Sequence, residues 1–382
     1  MAKDYSKLTD AELIELKRQT ENDISKYHNF QLVRKIQLNS AYGAIGNQYF
    51  RYYSTELAEA ITLSGQLSIQ WIGQELNKYI NKTVKTENVD YVIASDTDSV
   101  YLCLNNLVEK VFPNIGLFDG SSVTTNTKTI VDFLDKSANE LFLPFIDKKF
   151  KELADITNAY ENKMQMGREV IADKGIWTAK KRYMLNVWDS EGVRYTEPKL
   201  KIKGIETTRS STPEFVRKHL KTAINITLNG TEQEMVNFIE KCRDEFYSLP
   251  PEQMAFPRSV NGMTKYGDKD TIYRKSTPIA VKGALIYNHH LKQMKLEKKY
   301  KKIIEGDKIK YLHLKKPNPF GGMKGEDQVV SFPNVLPKEF ELEKYIDSKM
   351  QFEKSFIDPL TTILDTIGWS TEKKNTLENL FG

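Results

Sequence analysis

Cysteine is nearly absent. Cys103 and Cys242 are the only two in 382 residues, and neither has a neighbour at metal-ligand spacing. A disulfide framework and a structural zinc site are thereby set aside, and the usage suits a reducing cytosol. Long apolar runs are also missing. No stretch is long and apolar enough to span a bilayer, and "MAKDYSKLTD" lacks the apolar core of a signal peptide, so the expectation is a cytoplasmic protein with no membrane partner. Repeats and low-complexity linkers are absent, which argues against a solenoid or a string of tethered modules. A large charge imbalance is absent as well. With 56 Lys and Arg against 51 Asp and Glu, the net charge of +5 does not announce a nucleic-acid binder, although the basic residues are clustered.

What is present is the material for a folded core. A hydrophobic fraction of 40% and an aromatic fraction of 11% are those of a globular chain, long enough for two or three domains. The spacing predicts a helix or pair of helices over 9–40, capped by Thr9 or Asp10 with Glu12 behind, and interrupted by the glycines of "SAYGAIGN". A second helix is predicted over 55–81, with Leu57, Ala60, Ile61, Ser64, Leu67, Trp71 and Leu76 on one buried stripe. Helical pattern returns over 123–162. Residues 164–206 read as β-structure with a turn at Asp189–Gly192. Helices follow from Pro213 to about Leu249, then a mixed region and a helical end. The order predicts an α+β fold.

"YVIASDTDSVYLCL", residues 91–104, sets two carboxylates, Asp96 and Asp98, at hairpin length between two apolar arms. A solvated turn is the ordinary reading of Asp and Ser there. Held on rigid strand ends, the same acids suit a hard cation such as Mg²⁺, which takes one or two carboxylates with phosphate oxygens and water. In "KIQLNSAYG", Lys35, Asn39 and Tyr42 fall on one helix face and offer an ammonium, an amide and a flat ring, with Gly43 leaving room beside them. An amphipathic helix with one Lys at its rim accounts for that pattern equally well. "WTAKKRYMLNV" places Lys180, Lys181, Arg182 and Tyr183 at the start of a strand. In "KLKIKGIETTRSS", Lys199, Lys201 and Lys203 share a face at period two, with Gly204 and Arg209 beyond. That stripe fits a phosphate backbone, and it also fits an edge strand that uses lysine to resist aggregation.

Together these pieces resemble a family B (polymerase alpha-like) DNA polymerase, most like the replicative enzymes of T-even-type bacteriophages. "KIQLNSAYG" is similar to the fingers motif K-x-x-x-N-S-x-Y-G, "SDTDSVYL" to the palm motif D-T-D-S, and "KKRY" with "LKIKGIETTRSSTP" to the palm–thumb signature. The resemblance covers nearly the whole chain, with its motifs in family order. It implies a right-hand fold: an antiparallel palm sheet with packed helices, a partial helical fingers and a mostly helical thumb. The implied boundaries are 1–43 for part of the fingers, 44–208 for the palm, 209–376 for the thumb and 377–382 for a clamp-binding tail.

The resemblance further implies two-metal nucleotidyl transfer of a dNTP onto a primer 3′-hydroxyl with two Mg²⁺ ions. Asp98 would be the principal metal ligand and Asp96 a more weakly committed acid, with Glu169 a further palm acid. Lys35, Asn39, Tyr42 and Gly43 would serve the nucleotide. Lys180, Lys181, Arg182, Tyr183, Lys201, Lys203, Gly204 and Arg209 would serve primer-template DNA, and Leu377, Leu380 and Phe381 a sliding clamp. Nothing in the sequence matches the family's earlier palm motif D-x-x-S-L-Y-P-S, its exonuclease or its other fingers helix. The Met1 start before a capped helix therefore gives the expectation of one product of a split gene, inactive until an amino-terminal polymerase/exonuclease chain completes it in the host-cell cytoplasm. The alternative is a non-catalytic DNA-binding or scaffold protein derived from a polymerase half.

Overall fold

The computed structural model describes residues 5, 8–113, 125–320 and 328–372. They form an α+β fold of two compact units, Met1–Pro113 with Asn139–Gly167, and Asn114–Ala138 with Arg168–Gly382. Among the described residues no helix is long and apolar enough to cross a membrane.

The first unit opens with α1, Asp10–Ile45, whose start is a capping box. The Glu12 N–H donates to the Thr9 hydroxyl, and the Glu12 carboxylate accepts the Thr9 N–H at 2.9 Å. Of the two glycines predicted to interrupt this helix, Gly43 does not and Gly46 does. A single mid-helix glycine costs only about 1 kcal/mol, so α1 continues through Gly43 and stops at Gly46, whose N–H returns to the Tyr42 carbonyl at 3.3 Å. No residue of α1 is buried.

Helix α2, Thr55–Val84, is capped by the Ser54 hydroxyl. The stripe predicted to be buried from Leu57 onward is not covered along its first half. Leu57, Ile61 and Leu67 are exposed, and burial begins at Ser68, then runs through Ile72, Leu76, Ile80 and Val84. The apolar face is where the spacing puts it; among the described residues nothing buries its N-terminal part. Strands β1, Val92–Asp96, and β2, Ser99–Leu102, then pair antiparallel with a bulge at Ile93.

Helix α3 spans Asn105–Val111; α4, Thr125–Ser137, belongs to the second unit, and a π-turn leads from it into α5, Leu143–Ile156, of the first. Ile72 and Leu76 of α2 pack on Ile146, Phe150 and Leu153 of α5, and Val100 and Leu102 of β2 close that core. Lys149 bridges Glu75 at 2.9 Å and Glu152 at 2.7 Å, while the Trp71 indole N–H donates to the Lys149 carbonyl. The ammonium groups of Lys78 and Lys149 hold the Glu75 carboxyl below its ordinary range.

In the second unit, β3 (Val170–Ala179), β4 (Arg182–Ser190) and β5 (Val193–Lys203) form a meander with β4 central. The predicted turn at Asp189–Gly192 is present, with Glu191 and Gly192 at φ 52° and 87° as a two-residue hairpin requires. Asp189 is fully buried. It accepts the Gly192 N–H and is paired with Arg168 and Arg194, which also reach Asp135. One sheet face carries Ile176, Met184, Leu200 and Ile202 against Ile205, Ile224, Leu228 and Ile363. Helices α6, Glu214–Asn229, and α7, Glu232–Tyr247, follow. They share a large apolar core with the helix Ile279–Gln293 and a second antiparallel sheet, in which Lys308–His313 lies between Phe256–Ser259 and Val329–Phe332.

Candidate active site

The tip between β1 and β2 is tighter than the sequence suggests. Asp96 is the last residue of β1, Ser99 opens β2, and only Thr97 and Asp98 form the turn. A two-residue hairpin turn calls for positive φ. Here that burden falls on Thr97, at φ 54°, a β-branched residue for which the left-handed region is strained. Three bonds hold the conformation: the Asp98 N–H to the Asp96 carbonyl at 2.6 Å, the Ser99 hydroxyl to the same carbonyl at 3.1 Å, and the Thr97 hydroxyl to the Asp96 carboxylate at 3.1 Å.

Register decides where the acids face. Val100 and Leu102 pack on the core, so Ser99 and Tyr101 lie on the other face. Asp96 pairs with Ser99 and Ala94 with Tyr101, which puts the Asp96 carboxylate on that outer face. Asp96 is half-buried, whereas Asp98 in the turn is exposed. The two carboxylates occupy unequal environments. As hard oxygen donors they suit Mg²⁺, and among the described residues no group of three His, Cys, Asp or Glu could hold a metal.

The last turns of α1 carry Lys35, Asn39 and Tyr42, all exposed, within the same unit as the hairpin. Among the described residues nothing stands within 4 Å of where a Gly43 side chain would begin.

In the second unit, Lys180 and Lys181 form the β3–β4 turn, with Lys181 at φ 62°, and Arg182 and Tyr183 open β4. Gly204 makes a close backbone approach to the chain itself: a Cβ there would collide with the Lys181 carbonyl oxygen. Gly204, at φ 69°, thus lets the start of the following segment lie against the basic turn. Glu206 fastens the same corner, accepting from Arg182 at 2.8 Å and facing Arg209 at 3.4 Å, while Arg209 donates to the Gly204 carbonyl. The period-two stripe holds, since Lys199, Lys201 and Lys203 pair with Val187, Leu185 and Tyr183. Its members differ. Lys201 is paired with Glu169 at 2.6 Å, and Lys199 lies 4.1 Å over the Tyr195 ring. Tyr183 is 7% exposed and leans on Trp177, whose ring covers Gly175, so its ring is part of this unit's packing. Leu377, Leu380 and Phe381 lie outside the described residues.

Comparison with known proteins matches the chain to one family. The model described as DNA polymerase family B matches residues 12–130, a range that contains both the α1 face and the acidic hairpin. The DNA-directed DNA polymerase of Enterobacteria phage T4 is 35% identical over 99% of the chain, and that of Escherichia phage RB69 is 38% identical over 92%. The chain belongs to DNA polymerase family B. It spans 42% and 38% of the lengths of those two relatives. A shorter similarity, 39% identity over 19% of the chain, connects it with the DNA polymerase alpha catalytic subunit of Trypanosoma brucei brucei.

Sequence reasoning missed one part of this candidate site. Asn77 and Asn81 of α2 bond the backbone that leads into β1. Their spacing on one helix face was readable, but nothing in it says that their partners are a loop following the helix.

Proposed function

We propose that this chain is the carboxy-terminal portion of a DNA-directed DNA polymerase, which adds deoxynucleotides to a primer 3′-hydroxyl together with a complementary polypeptide. In this reading residues 1–43 belong to the fingers, 44–208 to the palm, 209–376 to the thumb and 377–382 to a clamp-binding tail. The observation that carries it is the hairpin, where ordered, core-packed strands and a strained threonine present Asp96 and Asp98 at one tip.

Asp98 and Asp96 would hold Mg²⁺, which when bound neutralises charge on the triphosphate and the attacking hydroxyl. Lys35 contributes a further positive charge towards the triphosphate, Asn39 shapes the same helix face, and Tyr42 with Gly43 leaves a flat, open border for the nascent base pair. Lys180, Lys181, Arg182, Lys203 and Arg209 grip primer-template phosphates, Gly204 sets the shape of their corner, and Tyr183 supports it from within the sheet. Glu169 and Lys201 act as one ion-paired unit beside that surface, the acid being the palm carboxylate. Positioning and charge do the work, as in phosphoryl transfer generally.

Two carboxylates are too few for a two-metal site. The proposal therefore includes a complementary polypeptide that brings a further palm aspartate, the other fingers helix and the exonuclease. The uncovered apolar surface of α1 and the first half of α2 supports such a partner. Primer extension by the full chain, alone and with a polypeptide matching the remainder of the phage relatives, tests the reading. Mg²⁺-dependent extension only in the mixture supports it. Duplex binding without extension in the mixture would favour a scaffold.

A further inference from the structure

We infer that Asn77 is a positioning residue for the carboxylate hairpin, an inference that rests on Asp96 and Asp98 being the metal ligands. A two-stranded hairpin is marginally stable by itself, so its placement depends on what anchors it. On one side the anchor is apolar, through Val100 and Leu102. At the start of β1 it is polar, and Asn77 is its centre. The Asn77 side-chain oxygen accepts two successive backbone N–H groups, Tyr91 at 2.8 Å and Val92 at 3.2 Å. Its amide nitrogen donates to the Asp90 carboxylate at 2.8 Å, and that carboxylate also accepts the Val92 N–H at 3.1 Å.

One helical turn on, the Asn81 side chain takes the Val89 N–H at 3.1 Å and the Thr86 hydroxyl at 2.9 Å, and donates to the Val89 carbonyl at 2.8 Å. Tyr91, 1% exposed, is thereby held at every polar group. Its N–H goes to Asn77, its carbonyl accepts the Cys103 N–H at 2.9 Å, and its hydroxyl meets Thr86 at 2.9 Å.

Asp96 lies four residues beyond Val92, roughly 13 Å along the strand. A slip of one residue at the anchor would turn Asp96 from the outer face towards the core. Asn77 fixes the two N–H groups just ahead of the bulge at Ile93, and with the bulge so sets the register that puts the acid on the outer face. Groups that bond a metal ligand directly typically change metal affinity by about ten-fold to a hundred-fold when removed; Asn77 acts further off, through the strand, so the lower end of that range is expected here.

The test uses the full chain with Mn²⁺ as probe, followed by electron paramagnetic resonance, and amide hydrogen exchange over 92–102. Asp98→Asn isolates the hairpin component of Mn²⁺ binding. Asn77→Ala is expected to weaken that component about ten-fold and to lower protection across β1 and β2. The double variant Asn77→Asp with Asp90→Asn exchanges donor and acceptor while keeping charge, and is expected to restore both. Asp90→Ala, at an exposed residue, removes one arm of the anchor and is expected to shift both readouts in the same direction if Asn77→Ala does not fold. Hairpin affinity unchanged in Asn77→Ala while Asp98→Asn abolishes it would overturn the inference. Equal Mn²⁺ binding by wild type and Asp98→Asn would instead refute the ligand assignment. Exchange then decides alone: reduced protection that the double variant restores sustains Asn77 as the hairpin's anchor, and unchanged protection removes it.

Discussion

Gly204 and Lys181 meet through backbone alone: the space a Gly204 side chain would need is filled by the Lys181 carbonyl oxygen. Two left-handed residues, Lys181 at φ 62° and Gly204 at φ 69°, come together there and give the basic corner its shape. Gly204→Ala introduces both a collision and an unfavourable φ, and is expected to destabilise the chain by about 1–3 kcal/mol. If the corner grips DNA, duplex affinity falls with it. Calorimetric melting and fluorescence anisotropy with a primer-template check the two effects; unchanged melting would contradict the strain argument.

The basic residues around that corner are expected to differ in their effect on DNA. Removing one side chain that neutralises a phosphate should lower the slope of log affinity against log salt by about one. Lys180→Ala and Lys181→Ala remove turn lysines and should each show that change. Lys201→Ala should show less, because Glu169 already holds the Lys201 ammonium at 2.6 Å. Glu169→Gln then becomes informative: freeing Lys201 is expected to steepen the salt dependence, whereas a catalytic role for Glu169 shows itself as abolished extension at unchanged affinity.

For the hairpin, the expected order is Asp98 above Asp96. Asp98 stands in the turn with its carboxylate exposed, while Asp96 is half-buried and already accepts the Thr97 hydroxyl. In the mixture with the complementary polypeptide, Asp98→Asn should lower the extension rate by at least about 10²-fold, the scale lost with a single charge-stabilising group. Asp96→Asn should cost less. Single-turnover extension at saturating dNTP measures both, and the opposite order would reassign the principal ligand.

Much of the fold and site is legible in the sequence. The apolar arms of 91–104 declare a hairpin, Thr9 with Glu12 declares a helix start, and Asp189–Gly192 a turn, because each signal lies within a few residues of its effect. What stays hidden depends on partners far along the chain. Glu169 and Lys201 meet only once the register of β3, β4 and β5 is fixed. Asn77 bonds a loop fourteen positions on. The uncovered stripe of α2 misleads for a related reason: periodicity identifies an apolar face, but not whether the same chain covers it.

Stability should depend on pH through His313. Burial pushes its pKa below the usual histidine value, opposed by the Asp347 carboxylate. A histidine depressed in the folded state binds its proton more weakly there than when unfolded. The unfolded chain therefore takes up protons first, and stability falls as pH drops below about 6.5, the ordinary histidine value. Melting temperature should decline from pH 7 to pH 5, and His313→Gln should flatten that decline. An equally steep decline in the variant would move the effect to other groups.

The uncovered apolar surface gives the last expectation. Ile14 and Ile24 on α1 are 69% and 64% exposed, so changing them removes no packing from the folded chain. Ile14→Gln and Ile24→Gln retain helix propensity and should alter melting by little, within about 0.5 kcal/mol, as surface changes do. If a complementary polypeptide covers α1, each variant buries less apolar area at that interface. Truncating an anchor typically costs more than about 1 kcal/mol, so dissociation constants should rise by roughly five-fold or more. Titration calorimetry of the two polypeptides, with light scattering of the chain alone, reads both consequences. Weaker association with unchanged melting, and less self-association of the isolated chain, is the expected outcome. Association at wild-type strength would mean that the partner docks elsewhere.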